Sequence, residues 1–173
     1  GWLTPRPAPP GSSLLAAQRL LLLLAPAALF EELLVRGYAF ATLRDWLGAP
    51  TALVLTSLVF GLLHWSNPGA NFQSVAQVVL AGVWLGCVLL ASGSLWAAWM
   101  AHLAWNWTMA ALFHAPVSGL PVGTPDYRLM DAGPDWATGG AWGPEGGLGA
   151  TLGMVASLVF LFARRSRRGE IQA

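Results

Sequence analysis

The chain has 173 residues, of which only 10% are charged, with a net charge of +1 and a mean hydropathy of +0.57. A soluble domain carries roughly a quarter charged residues, so this deficit and the long apolar runs exclude an ordinary soluble globule and argue for a chain that crosses a bilayer several times. The near-neutral balance gives no electrostatic basis for binding nucleic acid, and the single Cys87 allows no internal disulfide.

Residues 1–13, polar and rich in Pro, read as a flexible leader. They lack the basic stretch and cleavable apolar core of a signal peptide. The sequence begins at Gly1, and little precedes its first polar motif, so it reads as N-terminally truncated. A helix is predicted from Leu14 to Trp46, kinked at Pro26. Arg19 and Arg44 bracket its apolar part, roughly 37 Å apart along a helix, which suits a tilted span. A second, short helix covers 51–65, and residues 66–71, with Pro68 and Gly69, interrupt it. A third covers 72–91 and carries Gly82 and Gly86 at a spacing that permits close helix contact. After a turn at 92–94, a Trp-rich fourth helix covers 95–113. Residues 14–113 thus form a transmembrane core. Residues 114–146 are a Gly- and Pro-rich loop, 147–163 a last span, and 164–173 a basic tail. The fold class expected is all-α: a polytopic transmembrane helical bundle of about five spans.

Arg164, Arg165, Arg167 and Arg168 place the tail in the cytoplasm by the positive-inside rule. Counting back, the 114–146 loop is extracytoplasmic, the 92–94 turn inside, the 66–71 break outside and the leader outside. All nine basic residues are Arg. With abundant Ala, Gly, Trp and Pro, this suggests a GC-rich bacterial genome, and so a bacterial cytoplasmic (inner) membrane.

Three polar motifs sit inside apolar segments, where ionisable groups are costly and mark functional sites by default. In the first, Glu32 and Arg36 are four apart on a helix, in the favourable order for an ion pair. Glu31 points about 100° away and is left for another task. In the second, His64 follows Phe60 by one turn, beside Ser57 and Gly61, small residues that would let another helix approach. In the third, His102 and Asn106 share a face. Taken singly, each has a packing explanation; two acids, an Arg, two His and an Asn on three spans are hard to explain as glue alone. Trp96, Trp99, Trp105 and Trp107 read as lipid-facing or packing aromatics. His114 reads as a solvated loop residue, and Asp126, Asp131, Asp135 and Glu145 as acids that solvate the loop. No G-x-S-x-G nucleophile elbow and no H-E-x-x-H zinc motif is present.

In this order and on separate apolar segments, Phe30-Glu31-Glu32-Leu33-Leu34-Val35-Arg36-Gly37, Phe60-Gly61-Leu62-Leu63-His64 and His102-Leu103-Ala104-Trp105-Asn106 resemble the CPBP family of intramembrane proteases. That family joins CAAX prenyl endopeptidases with bacterial bacteriocin-processing and immunity proteins, and is also called Abi. The loop segments Pro116–Gly119, Gly133–Trp136 and Gly143–Gly147 resemble bacterial members. The resemblance implies a helical bundle with a conical cavity opening to the cytosolic side, and an endopeptidase of metalloprotease or glutamic type. Its substrate would be a peptide or membrane protein held against the lipid bilayer. The catalytic residues would be Glu31, Glu32, Arg36, His64, His102 and Asn106. Glu31 would activate water, and Glu32, paired with Arg36, would hold the first helix. His64 and His102 could ligate a divalent metal, Zn first, with Glu31 and with Asn106 as fourth ligand or close by. Alternatively, His102 and Asn106 could donate to an oxyanion without a metal. Two other readings stand beside the enzyme: a non-catalytic membrane partner that confers bacteriocin immunity or regulates another membrane protein, and a small transporter with a Glu/His proton path.

Overall fold

The computed structural model describes residues 1–170, with side chains to residue 164. Helix α1 (Ser13–Glu32) starts at Ser12, whose hydroxyl accepts the Leu15 N–H at 3.2 Å. It passes through Pro26 and continues as a π-helical stretch, Leu33–Ala39, into α2 (Phe40–Leu47). Gly48 turns the chain at φ +79, a left-handed backbone that glycine adopts without strain. Helix α3 (Ala49–Leu63) has Pro50 in its first turn, where the missing N–H costs nothing, and ends in a 3₁₀ turn, His64–Ser66.

Helix α4 (Phe72–Ser92) begins with a reciprocal cap: Asn71 accepts the Ser74 N–H and Ser74 accepts the Asn71 N–H, both at 2.9 Å. It ends at Gly93 in the left-handed conformation. Helix α5 (Leu95–Trp107) continues as a π-helical stretch, Thr108–Leu112. The loop beyond holds the short α6 (Asp135–Thr138), and α7 (Leu148–Glu170) closes the chain.

The chain is an all-helical membrane bundle. Ser13–Leu47, Ala49–Ser66 and Phe72–Ser92 are long and apolar enough to cross a bilayer, and Leu148–Arg164 is a shorter apolar helix. Many large apolar side chains point outward, among them Leu22, Phe30, Trp46, Phe72 and Val159. That is the surface expected against lipid instead of water. Of the four Arg that carry the basic-tail expectation, Arg164 is exposed, and the side chains of Arg165, Arg167 and Arg168 lie outside the described residues.

Small residues let α3 and α4 touch. A Cβ on Gly82 would stand 2.9 Å from the Cα of Ser57, and Cβ atoms on Gly61 and Gly86 would collide with Val79 and Leu53. Ser57 therefore meets Gly82, while Gly61 makes room for Val79 and Gly86 for Leu53, close contacts of the kind small residues permit. Polar links fasten the other helices. Trp99 and Trp107 on α5 donate to the carbonyls of Ala25 and Ala17 on α1, each at 2.9 Å. Trp84 on α4 donates to Ser157 on α7 at 2.9 Å.

The leader is not free. Its β1 (Leu3–Pro7) pairs antiparallel with β2 (Tyr127–Asp131) of the loop, Leu3 opposite Asp131 and Pro7 opposite Tyr127. The Asp126 carboxylate accepts the Gly11 N–H at 3.3 Å and the Ser13 hydroxyl at 2.6 Å. The 66–71 break also joins the loop: Asn67 donates to the Ser118 carbonyl at 2.9 Å. Leader, break and loop therefore share one end of the bundle, as the count of crossings requires.

Candidate active site

The last turn of α1 carries both acids. Glu32 points into the bundle and is fully buried, while Glu31 lies further round the helix and is half-buried. Arg36 Nη1 donates to Glu32 Oε1 at 3.0 Å, the i,i+4 pair that the spacing predicts. Arg36 Nη2 donates to the Gly82 carbonyl on α4 at 3.2 Å, and its guanidinium lies 4.2 Å from the centre of the Phe60 ring on α3. One buried cation thus fastens α1, α3 and α4. Removing one partner of such a buried pair costs about 3–5 kcal/mol. The π-helical stretch begins directly after Glu32, and a second one begins two residues after Asn106. Wide turns of this kind recur next to functional residues.

Glu32 has a second partner that the motif spacing does not reveal. His102 Nδ1 donates to Glu32 Oε1 at 2.9 Å across 70 residues. The other ring nitrogen, Nε2, stands 3.8 Å from Glu31 Oε2. Glu32 therefore sets both the rotation and the tautomer of the imidazole, and Glu31 faces its working edge. Glu31 Oε2 and Glu32 Oε2 are buried and have no hydrogen-bond partner among the described residues.

His64 Nδ1 donates to the Phe60 carbonyl at 2.8 Å. A carbonyl only accepts, so Nδ1 carries the hydrogen and Nε2 keeps its lone pair. The Phe60 ring packs against both histidines, 4.8 Å from His64 and 6.0 Å from His102 between centroids. His64, His102 and Asn106 line one cavity with Phe60, Gln77, Trp84, Trp105, Ser118, Trp142 and Glu145. Its volume open to the centre of a water molecule is about 40 Å³. Glu31 and Glu32 are not among the lining residues. Of the four residues expected in one cavity, His64, His102 and Asn106 line it and Glu31 does not; Glu31 stands beside it at 3.8 Å from His102 Nε2.

The expected divalent metal finds no ready donor set. Among the described residues, no three His, Cys, Asp or Glu side chains stand close enough together to hold an ion. His102 Nδ1 and Glu32 Oε1 are engaged with each other, which leaves Glu31 Oε2, Glu32 Oε2 and the Nε2 atoms of His64 and His102.

The loop contributes what sequence reasoning assigned to solvent. Glu145 is buried, its carboxylate accepting the Ser118 N–H at 2.6 Å and the Trp105 indole N–H at 3.0 Å. Burial pushes its carboxyl above the ordinary carboxylate range, opposed by the Ser118 N–H, His102 and Trp105. Trp105 takes the packing alternative, as a cavity wall against Trp84 and Glu145. His114 is buried too, stacked 4.0 Å from Tyr127 and donating to the Tyr127 carbonyl at 3.0 Å. Asp131 accepts from Gly133 N–H and from the Thr138 hydroxyl instead of solvating the loop. The usable signal was the setting of Glu145 in Gly143-Pro144-Glu145-Gly146-Gly147: an acid between tight-turn residues, flush against the next span.

Ser118, Trp142 and Glu145 also put the cavity at the loop's end of the bundle. A cavity entered from the cytosolic side and an extracytoplasmic loop are therefore in conflict: site and loop face one side. The 66–71 break is only partly covered, since Asn67 is tied to the loop while Ser66, Pro68 and Gly69 are exposed.

A family model described as type II CAAX prenyl endopeptidase, Rce1-like, matches residues 13–108, more than half of the chain and every motif residue above. No curated protein and no solved structure matches.

Proposed function

The chain belongs to the Rce1-like family of type II CAAX prenyl endopeptidases, a family of membrane proteases, and from that premise we propose that it cleaves a peptide bond of a membrane-associated protein or peptide with water activated by Glu31. Glu31 Oε2 takes a proton from the water, and the hydroxide oxygen attacks the carbonyl carbon. Asn106 donates to the developing oxyanion, and His102, its hydrogen held on Nδ1 by Glu32, lines the water's site with its Nε2 edge. The C–N bond breaks as Glu31 returns its proton to the leaving amine. His64 Nε2, with its lone pair free, orients the water's second hydrogen. Glu32 and Arg36 are positioning residues that act through His102.

The observation that carries this reading is the pair of buried, unpartnered carboxylate oxygens beside a histidine whose tautomer is fixed. A cluster kept only for helix packing, in an immunity partner, would have its buried acceptors satisfied. The setting that fits is a bacterial inner membrane, with the tail cytoplasmic by its Arg content.

The chain reconstituted in liposomes with membrane-anchored peptides should release two fragments. In ¹⁸O-water the new carboxylate should carry one ¹⁸O, and Glu31→Gln should release none. Chelator treatment should leave the rate unchanged; loss of activity that Zn restores would return the metal route. Cleavage by Glu31→Gln at the wild-type rate would end the proposal.

A further inference from the structure

Hydrolysis in a bilayer needs water where the surrounding hydrocarbon holds none. The loop-side end of the cavity carries polar atoms for which the chemistry above has no use. Gln77 on α4 donates through Nε2 to the Gly147 carbonyl at 3.4 Å and contacts Thr151 Oγ1. Because that carbonyl only accepts, the orientation of the amide is set and Oε1 is the atom left over. It is buried and has no hydrogen-bond partner among the described residues. Trp142 is fully buried, and its indole N–H has no partner either. Both side chains line the cavity alongside His102 and Asn106. Glu145, by contrast, has both oxygens engaged by Trp105 and Ser118, so it frames the wall.

One free acceptor and one free donor in a buried cavity suit either water or a peptide unit of the substrate. Size decides between them. A water needs about 10–15 Å³ of volume open to its centre, so the cavity's 40 Å³ holds about three waters and no peptide unit with its side chain. Buried polar groups without a protein partner are the usual sites of internal water.

We propose that Gln77 and Trp142 hold water in a compartment that opens onto His102 and Asn106 and supplies the molecule that is consumed in hydrolysis. This rests on the hydrolytic reading above. Two substitutions separate water supply from substrate contact. Trp142→Phe deletes the N–H without breaking any hydrogen bond within the described residues, and Gln77→Leu deletes the acceptor. Each should lower kcat about tenfold per folded enzyme, the scale of one lost hydrogen bond to a bound water, with KM held within about twofold. A rise in KM at unchanged kcat would assign the two residues to the substrate and overturn the compartment; so would wild-type kinetics.

Folding failure of either variant leaves a direct measurement. A structure of the wild-type chain, at a resolution that shows buried water elsewhere, should place ordered water within hydrogen-bond distance of Gln77 Oε1 and Trp142 Nε1. A dry cavity there overturns the proposal whatever the variants do. If Glu31→Gln instead keeps wild-type activity, it is the assignment of the base that fails, since the compartment is judged on Trp142 and Gln77 alone.

Discussion

The motif-bearing helices and the loop that closes over them build one cavity by different means. On the helices, Glu32 and Arg36, Phe60 and His64, and His102 and Asn106 stand one turn apart, and helical geometry alone aligns each pair. In the loop, Ser118, Trp142 and Glu145 arrive through backbone turned into the left-handed region at His114, Ser118, Asp126, Gly119, Gly139 and Gly143. The helices commit a buried charge, with Arg36 and Glu32 joined to His102, and a charge left alone in the interior is expensive. The loop commits single hydrogen bonds, as from Ser118 and Trp105 to Glu145, each worth less. Damage to the helix half should therefore act on the whole bundle, and damage to the loop half should be milder and graded.

Arg36→Ala should have the largest effect on stability, about 3–5 kcal/mol, because it strands the Glu32 carboxylate. Reversible unfolding in mixed micelles would measure it. A loss under about 1 kcal/mol would mean that the pair is not the hub. Glu145→Leu leaves the Ser118 and Trp105 donors unpaired and should cost about 2 kcal/mol. If its cost equals that of Arg36→Ala in the same assay, the two halves are not different in kind. Gly82→Ala pushes a Cβ against the Ser57 backbone and should cost about 1–3 kcal/mol by overpacking, read as a shift in the same unfolding midpoint.

Stability should also fall with rising pH through Glu145. Its folded pKa is raised by burial above an ordinary value of 4.5. Between 4.5 and the raised value the folded state holds a proton that the unfolded state has released. The stabilisation is thus complete below 4.5 and lost as pH climbs through the folded pKa. Glu145→Gln should flatten that part of the pH curve, and an unchanged slope would show that another group carries it. The smallest effect belongs to the leader. Asp126→Ala, which frees Gly11 and Ser13, should cost about 1 kcal/mol and raise proteolysis of residues 1–12 without changing kcat.

What the sequence made legible follows the same division. Helix positions, the small-residue faces at Ser57–Gly61 and Gly82–Gly86 that admit a neighbouring helix, and the Glu32–Arg36 pair rest on period and spacing, which are local; that Ser57 meets Gly82 is set by the fold. The bond from His102 to Glu32 joins residues 70 apart. No periodicity encodes it, so Glu32 read as a partner of Arg36 alone. The strand pairing of Leu3–Pro7 with Tyr127–Asp131 is still more remote, and its Pro-rich composition argues against a strand. Glu145 failed for a different reason. A lone acid in a polar loop is solvated by default, and only the fold shows that this one is buried and bonded to Trp105 and Ser118. The loop's place over the cavity, not its composition, made its residues functional candidates.

The central claim is that Glu31 is the base and Glu32 its support through His102. The most direct measurement is the single-turnover cleavage rate of Glu31→Gln beside that of Glu32→Gln, each normalised to folded protein. The account predicts a fall of about 10²–10⁴ for Glu31→Gln, with its unfolding midpoint near wild type. It predicts a lowered midpoint for Glu32→Gln, with residual activity in the molecules that fold. Near-wild-type cleavage by Glu31→Gln together with a dead but stably folded Glu32→Gln would contradict it, and would make Glu32 the base.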